Sequence, residues 1–88
     1  MKMIFAIIRD HDNDAVSNAL IKAEFRVTRI ASSGGFLRRG SSTLMIGVAD
    51  EKVDEAIEII RNNTTVVDDP GVKRATLFVL DVKSFTQI

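Results

Sequence analysis

The stretch Met3-Ile4-Phe5-Ala6-Ile7-Ile8 and its counterpart Thr43-Leu44-Met45-Ile46-Gly47-Val48 decide the fold of this chain. Each is a short apolar run, and such runs are typical of strands that are covered on at least one face. The two runs begin 40 residues apart, and a helical pattern follows each. The sequence therefore predicts two similar halves, each opening with a central strand.

The two helices are predicted from the spacing of apolar residues. In the first helix, small and apolar side chains recur at helical intervals, and Asp12, Asn13 or Asp14 can serve as its N-cap. Its apolar positions are Ala15, Val16, Ala19, Leu20 and Ala23. In the second helix, Asp50 is the predicted cap, and we expect the helix to end near Arg61. Its apolar stripe is Val53, Ala56, Ile57 and Ile60.

Two further strands complete the pattern. Residues 25–31 read as the second strand, with Phe25 and Val27 on one face and Arg26, Thr28 and Ile30 on the other. Residues 75–82 read as the fourth strand, after a connection over 62–74 with a turn at Asp69-Pro70-Gly71. We expect the tail, residues 83–88, to pack back onto the body. The order βαββαβ predicts an α+β ferredoxin-like sandwich, with two helices on one face of a four-stranded antiparallel sheet.

Size and composition limit the class of protein. At 88 residues with 45% apolar content, the chain is long enough for one domain, residues 1–88, with one small core. Cysteine is absent, which excludes disulfides, thiolate metal sites and a thiol nucleophile. No apolar run approaches the length of a membrane span. We therefore expect a cytoplasmic protein without membrane insertion.

Charge is balanced overall but uneven along the chain. Twelve basic and twelve acidic residues cancel, which argues against a general nucleic-acid binder. Between Glu24 and Asp50 there is no acidic residue, although four arginines fall there. This distribution favours a local anion site. A ferredoxin-like RNA-binding module is disfavoured because the third strand lacks stacking aromatic residues.

The segment from Ser32 to Ser41 is the strongest candidate site. Gly34 and Gly35 allow a ligand to approach the backbone, and Phe36 and Leu37 add apolar contacts. Arg38 and Arg39 suit phosphate groups. These residue types fit a nucleotide-like ligand, but they also fit a turn whose apolar residues enter the core and whose arginines are solvated. Gly47 inside a strand indicates a close approach to the backbone.

No catalytic constellation stands out. The only histidine, His11, lies among Asp10, Asp12 and Asp14, a cluster that is expected as a solvated helix start. No serine has a basic histidine near it in the sequence, and an acylphosphatase-like pair of Arg and Asn is not found. The sequence predicts a non-enzyme that needs no cofactor. On residue type alone, Phe78 is expected in the core and Gln87 is uninformative.

The residues together resemble the PII-like cyclic-di-AMP receptor proteins. The resemblance is carried by Met-Lys-Met-Ile at the start, Phe25-Arg26-Val27-Thr28, Gly34-Gly35-Phe36-Leu37-Arg38 with Gly40, and the ending Ala75 to Leu80 with Phe85 and Gln87. It implies a homotrimer with ligand sites at the clefts between subunits. The contacts it implies come from Arg26, Thr28, Gly35, Phe36, Leu37, Ser41, Gly47, Phe78 and Gln87.

Two differences from the family pattern bear on the ligand. Ser41 stands where the family has Asn, and the loop between the second helix and the fourth strand is short here. The leading hypothesis is a signal-transduction protein that binds cyclic-di-AMP and relays it to an unknown downstream protein by loop ordering. The alternatives are a PII-type sensor of ATP or ADP, and a structural trimer without a ligand.

Overall fold

The protein has the predicted order of elements. A computed structural model describes residues 1–30, 40–66, 69 and 71–88. The elements are β1 (Lys2–Arg9), a 3₁₀ turn (Asp10–Asp12), α1 (Asn13–Lys22), β2 (Arg26–Ile30), β3 (Ser41–Val48), a second 3₁₀ turn (Asp50–Lys52), α2 (Val53–Asn63) and β4 (Ala75–Asp81). The α+β ferredoxin-like prediction is confirmed.

The four strands form one sheet in the order β2-β3-β1-β4. All three neighbouring pairs are antiparallel, and β1 pairs with β3 over its whole length, from Lys2 opposite Val48 to Arg9 opposite Ser41. The two apolar stretches that decide the fold are therefore the two central strands. The shorter β2 and the last strand, β4, form the edges.

The core lies between one face of this sheet and the two helices. Alternate residues of the central strands point into it, because side chains of a strand alternate between the two faces. All of the core residues expose 4% of their surface or less: Ile4, Ala6, Ile8, Leu44, Ile46 and Val48 from the strands, and Val16, Leu20, Ala56 and Ile60 from the helices. Phe25 and Val27 pack against this core, as the alternation of the second strand predicts.

Two local predictions are wrong. Asp50 does not cap α2, because it opens a 3₁₀ turn that makes no side-chain cap hydrogen bond. The end of α2 at Asn63 is two residues after Arg61, close to the predicted end. The tail from Lys83 to Ile88 does not pack back onto the chain, since all of its residues are exposed.

The acidic cluster before α1 is only partly a solvated helix start. Asp12 is 3% exposed, and its carboxylate accepts hydrogen bonds from the Thr65 backbone N–H (3.1 Å) and hydroxyl (2.6 Å). Burial pushes the pKa of Asp12 up, but the two Thr65 bonds and the charges of His11 and Arg9 outweigh burial and hold the pKa below its ordinary value. The ionised carboxylate therefore stabilises the fold.

We expect Asp12→Asn to lower the free energy of unfolding by about 1–2 kcal/mol at pH 7, because the charged acceptor is lost. The lowered pKa means that the contribution of Asp12 is complete above the unfolded pKa of about 3.9 and disappears as the pH falls through the folded pKa. Urea unfolding of both proteins between pH 7 and pH 3 measures the difference. Asp14→Asn, at an exposed position of the same helix start, is the control. A difference that stays constant down to pH 3 would contradict this account.

Helix α1 ends in a Schellman motif with an unusual residue at its turn. The Phe25 N–H donates to the Leu20 carbonyl (3.0 Å) and the Glu24 N–H to the Ile21 carbonyl (2.9 Å). Glu24 has a φ of 70°, the left-handed conformation in which glycine is favoured. Phe25 then enters the core beside Leu20. The strained Glu24 thus sets the direction in which β2 begins.

We expect Glu24→Gly to raise the free energy of unfolding by about 0.5–1 kcal/mol. Relief of the left-handed strain exceeds the entropy that glycine adds to the unfolded chain. The matched control is Glu58→Gly within α2, where the same substitution should lower stability by about 1 kcal/mol. Thermal and urea unfolding measure both changes. Equal destabilisation by the two variants would show that Glu24 is not strained.

Candidate functional site

None of the helices or strands that the structure describes covers the face of the sheet opposite the helices, and this uncovered face is largely apolar. Two rows of residues cross it in register: Arg26, Gly47, Met3 and Leu80, and then Thr28, Met45, Phe5 and Phe78. On β4, Phe78 is 53% exposed and Leu80 is 48% exposed. A contiguous apolar patch with polar residues at its edge is typical of an interaction surface.

Three of the predicted contact residues lie together at one side of this face. Arg26 is directly opposite Gly47 in the β2–β3 ladder, and Thr28 is on the same face two residues further along β2. Arg26 and Thr28 are exposed and Gly47 is half-buried. Because β2 is an edge strand, this group borders the free edge of the sheet.

A groove of about 280 Å³ lies beside this group. It is formed where the end of α1 meets the start of β2, the end of β3 and the second 3₁₀ turn. Its lining residues are Ala23, Glu24, Phe25, Arg26, Gly47, Val48, Ala49 and Lys52. The groove is slightly smaller than the roughly 300–1,000 Å³ of a typical small-molecule pocket. The lining includes two cationic residues, one carboxylate, one aromatic residue and Gly47.

Lys52 is a lining residue that the sequence analysis missed. In the sequence it lies in an acidic run, and its ammonium group is 3.4 Å from the Glu55 carboxylate one helical turn away. Only the pairing of β2 with β3 brings this part of the chain to Arg26. No pattern in the sequence around Lys52 indicates that Arg26 is its neighbour.

The end of the Met1 side chain lies against Gly47. A methyl group added at Gly47 would lie 3.1 Å from the terminal carbon of Met1 and, apart from its chain neighbours, would meet no other atom of the described residues within 4 Å. That carbon is the end of a flexible side chain and can move. A side chain at this position would therefore displace only the tip of Met1 among the described residues, which the fold can accommodate.

The other described site residues lie away from this group. Ser41 is on the same face of β3 as Gly47, but six residues away, or about 20 Å along the strand. Phe78 is on the opposite edge strand, three strand spacings from Thr28, which is roughly 14 Å. Gln87 lies in the exposed tail beyond β4. One subunit thus divides the predicted contacts between its two sheet edges.

Gly35, Phe36 and Leu37 lie outside the described residues, as does the rest of 31–39. Within the described ranges, no cluster of three histidine or acidic side chains could hold a metal ion. Neither helix that the structure describes has the length and apolarity needed to cross a bilayer. A second groove, of about 160 Å³, lies between α2 and β4 and includes Arg61, Thr64 and Arg74, but none of the predicted contact residues.

Comparisons with known proteins place the chain in a family. Residues 1–69 match the family model described as cyclic-di-AMP receptor. A crystal structure of a functionally unknown protein from Pediococcus pentosaceus is 34% identical, with a TM-score of 0.78, over 99% of this chain and 96% of that one. The family match includes Arg26, Thr28, Ser41 and Gly47, and it ends before Phe78 and Gln87. This chain belongs to the cyclic-di-AMP receptor family.

Proposed function

We propose that this protein is a non-catalytic receptor that binds cyclic-di-AMP in the clefts between the subunits of a homotrimer. The observation that carries the proposal is the division of contact residues between two edges of one uncovered sheet face. Arg26, Thr28 and Gly47 lie at the β2 side, whereas Phe78 lies on β4 and Gln87 belongs to the exposed tail that follows β4. A cleft between neighbouring subunits would bring the two sets together.

The uncovered face supports the association of subunits. Phe78 and Leu80 expose about half of their surfaces, and Met3, Phe5 and Met45 lie next to them in the sheet. Burying this face against other copies would remove apolar area from water, worth about 25 cal/mol for each Å². The exposed tail, with Phe85 at 68%, would find its packing partner on a neighbour.

The chemistry at the β2 side suits a cyclic dinucleotide. Arg26 and Lys52 supply positive charge for phosphate, Thr28 offers a hydroxyl, and Gly47 lets a flat base approach the backbone. In this proposal, Gly35, Phe36 and Leu37 add the contacts that the resemblance implies, and Ser41 contributes a hydroxyl. A downstream protein then distinguishes the free from the bound receptor.

Gly47→Ala tests the ligand site. We expect the variant to fold, because only the tip of Met1 has to move, and to bind cyclic-di-AMP at least about tenfold more weakly, because the methyl group occupies the place of the base. Calorimetric titration measures the affinity of both proteins. Gly71→Ala, in an exposed turn, is the matched control and should bind like the wild type.

The same titration separates the candidate ligands. If the folded wild type gives no heat with cyclic-di-AMP at tens of micromolar, the ligand assignment fails. Heat with ATP or ADP alone would make the protein a sensor of an adenine nucleotide. Absence of binding to all three, with an intact trimer, would leave a structural assembly.

Leu80→Arg tests the association. The side chain of Leu80 lies on the uncovered face, so a buried arginine there should convert the trimer to monomers. Val79→Arg is the matched control, because Val79 is 41% exposed and its side chain points to the helix side of the same strand. Analytical ultracentrifugation measures the molar mass. A wild type that sediments as a monomer, or a Leu80→Arg trimer, would contradict the proposed interface.

A further inference from the structure

The short turn between β1 and α1 binds the ends of two separate connections. The Asp10 backbone N–H donates to the Gly40 carbonyl at 2.8 Å, and the Ser42 hydroxyl donates to the Asp10 carboxylate at 2.5 Å. Gly40 and Ser42 flank Ser41, at the point where the chain that follows β2 enters β3. Asp10 thus extends the β1–β3 ladder and fixes this entry.

Two residues later, Asp12 holds the beginning of the connection that follows α2. Thr65 donates both its N–H and its hydroxyl to the Asp12 carboxylate, and Thr65 is the second residue after the end of α2. The preceding Thr64 is buried and donates its hydroxyl to the Arg61 carbonyl at 3.2 Å, which closes the helix. The Asp12 bonds are therefore the contact that directs the chain away from α2.

The turn that carries both carboxylates is held firmly. Ile8 before it is 1% exposed, and Asn13 and Val16 after it are also buried, so both of its ends are anchored in the core. Asp10 and Asp12, the residues that make the two sets of hydrogen bonds, are separated only by His11 in this 3₁₀ turn. A turn of three residues thus joins the contacts of Thr65 to those of Gly40 and Ser42.

We propose that the Asp10-His11-Asp12 turn is a positioning element that couples the start of the α2–β4 connection to the entry of β3 beside Ser41. Asp12 acts through the turn and does not contact the ligand. Only the predicted effect on ligand affinity rests on the proposed function; the predicted effect on the ligand-free protein does not. The hydrogen bonds of Asp10 and Asp12 form a continuous path between the two connections, and networks of this kind carry energetic coupling between sites.

The first experiment needs no ligand. In the amide spectrum of the ligand-free protein, Thr65→Val should shift the resonances of Gly40 and Ser42, because the Asp12 carboxylate loses its hydroxyl partner. Thr65→Ser keeps the hydroxyl and should restore them. Thr64→Val is the matched control, since that hydroxyl bonds only within the end of α2. Unchanged Gly40 and Ser42 resonances in Thr65→Val would overturn the proposal.

The second experiment measures the coupling through cyclic-di-AMP. Thr65→Val should weaken binding by about five- to twentyfold, and Thr64→Val should leave it nearly unchanged. The double variant Thr65→Val with Ser42→Ala should lose affinity by a factor roughly two- to tenfold smaller than the product of the factors for the two single variants, because both substitutions act through one turn. Strictly multiplicative effects would contradict coupling. Failure of the wild type to bind would defeat the proposed function alone, since the spectra decide the coupling independently.

Discussion

The pairing of β1 with β3 over eight residues on each strand is the interaction on which the rest of the structure depends. It fixes the register so that Ile4, Ala6 and Ile8 share a face with Leu44 and Ile46, and the two helices cover that face. A shift of one residue would turn every one of these side chains to the other side. The same register sends Phe5 and Met45 to the opposite face, which neither of the described helices covers.

The sequence predicts the parts of the fold that follow from periodicity. Each central strand is an apolar run, and the stripe from Val53 to Ile60 has the period of a helix, so the number, order and type of the elements can be inferred. The ends of the helices are less predictable, because an acidic side chain there can accept hydrogen bonds from several different donors. Asp50 opens a 3₁₀ turn instead of capping, and Asp12 accepts from Thr65, 53 residues away. No pattern in the neighbouring sequence indicates either of these arrangements.

The candidate site is predictable only in part, because some of its residues are brought together by contacts between segments that are far apart in the sequence. Strand alternation places Arg26 and Thr28 on one face, and Gly47 stands out as an isolated glycine in a strand. The contact roles of Arg26 and Thr28 come only from the resemblance to the family. Lys52 cannot be selected from the sequence, because only the β2–β3 pairing brings it to the groove, together with Glu24 in its strained conformation. The separation of Phe78 from Thr28 across the sheet is likewise a property of strand order, which no single segment records.

In the proposed assembly, ligand binding and subunit association are one equilibrium. A ligand that contacts the β2 side of one subunit and the β4 side of its neighbour binds only the assembled state, and it therefore stabilises that state by mass action. The reverse also holds, because coupling free energies between binding events are reciprocal.

The Asp10 and Asp12 contacts add a second level within each subunit: they fix Gly40, Ser42 and Thr65 relative to the core strand β1. Since β1 lies between β3 and β4 in the sheet, the strand that carries Phe5 to the uncovered face also ends in the turn that holds both connections. A change at the subunit interface and a change at either connection thus act on the same strand.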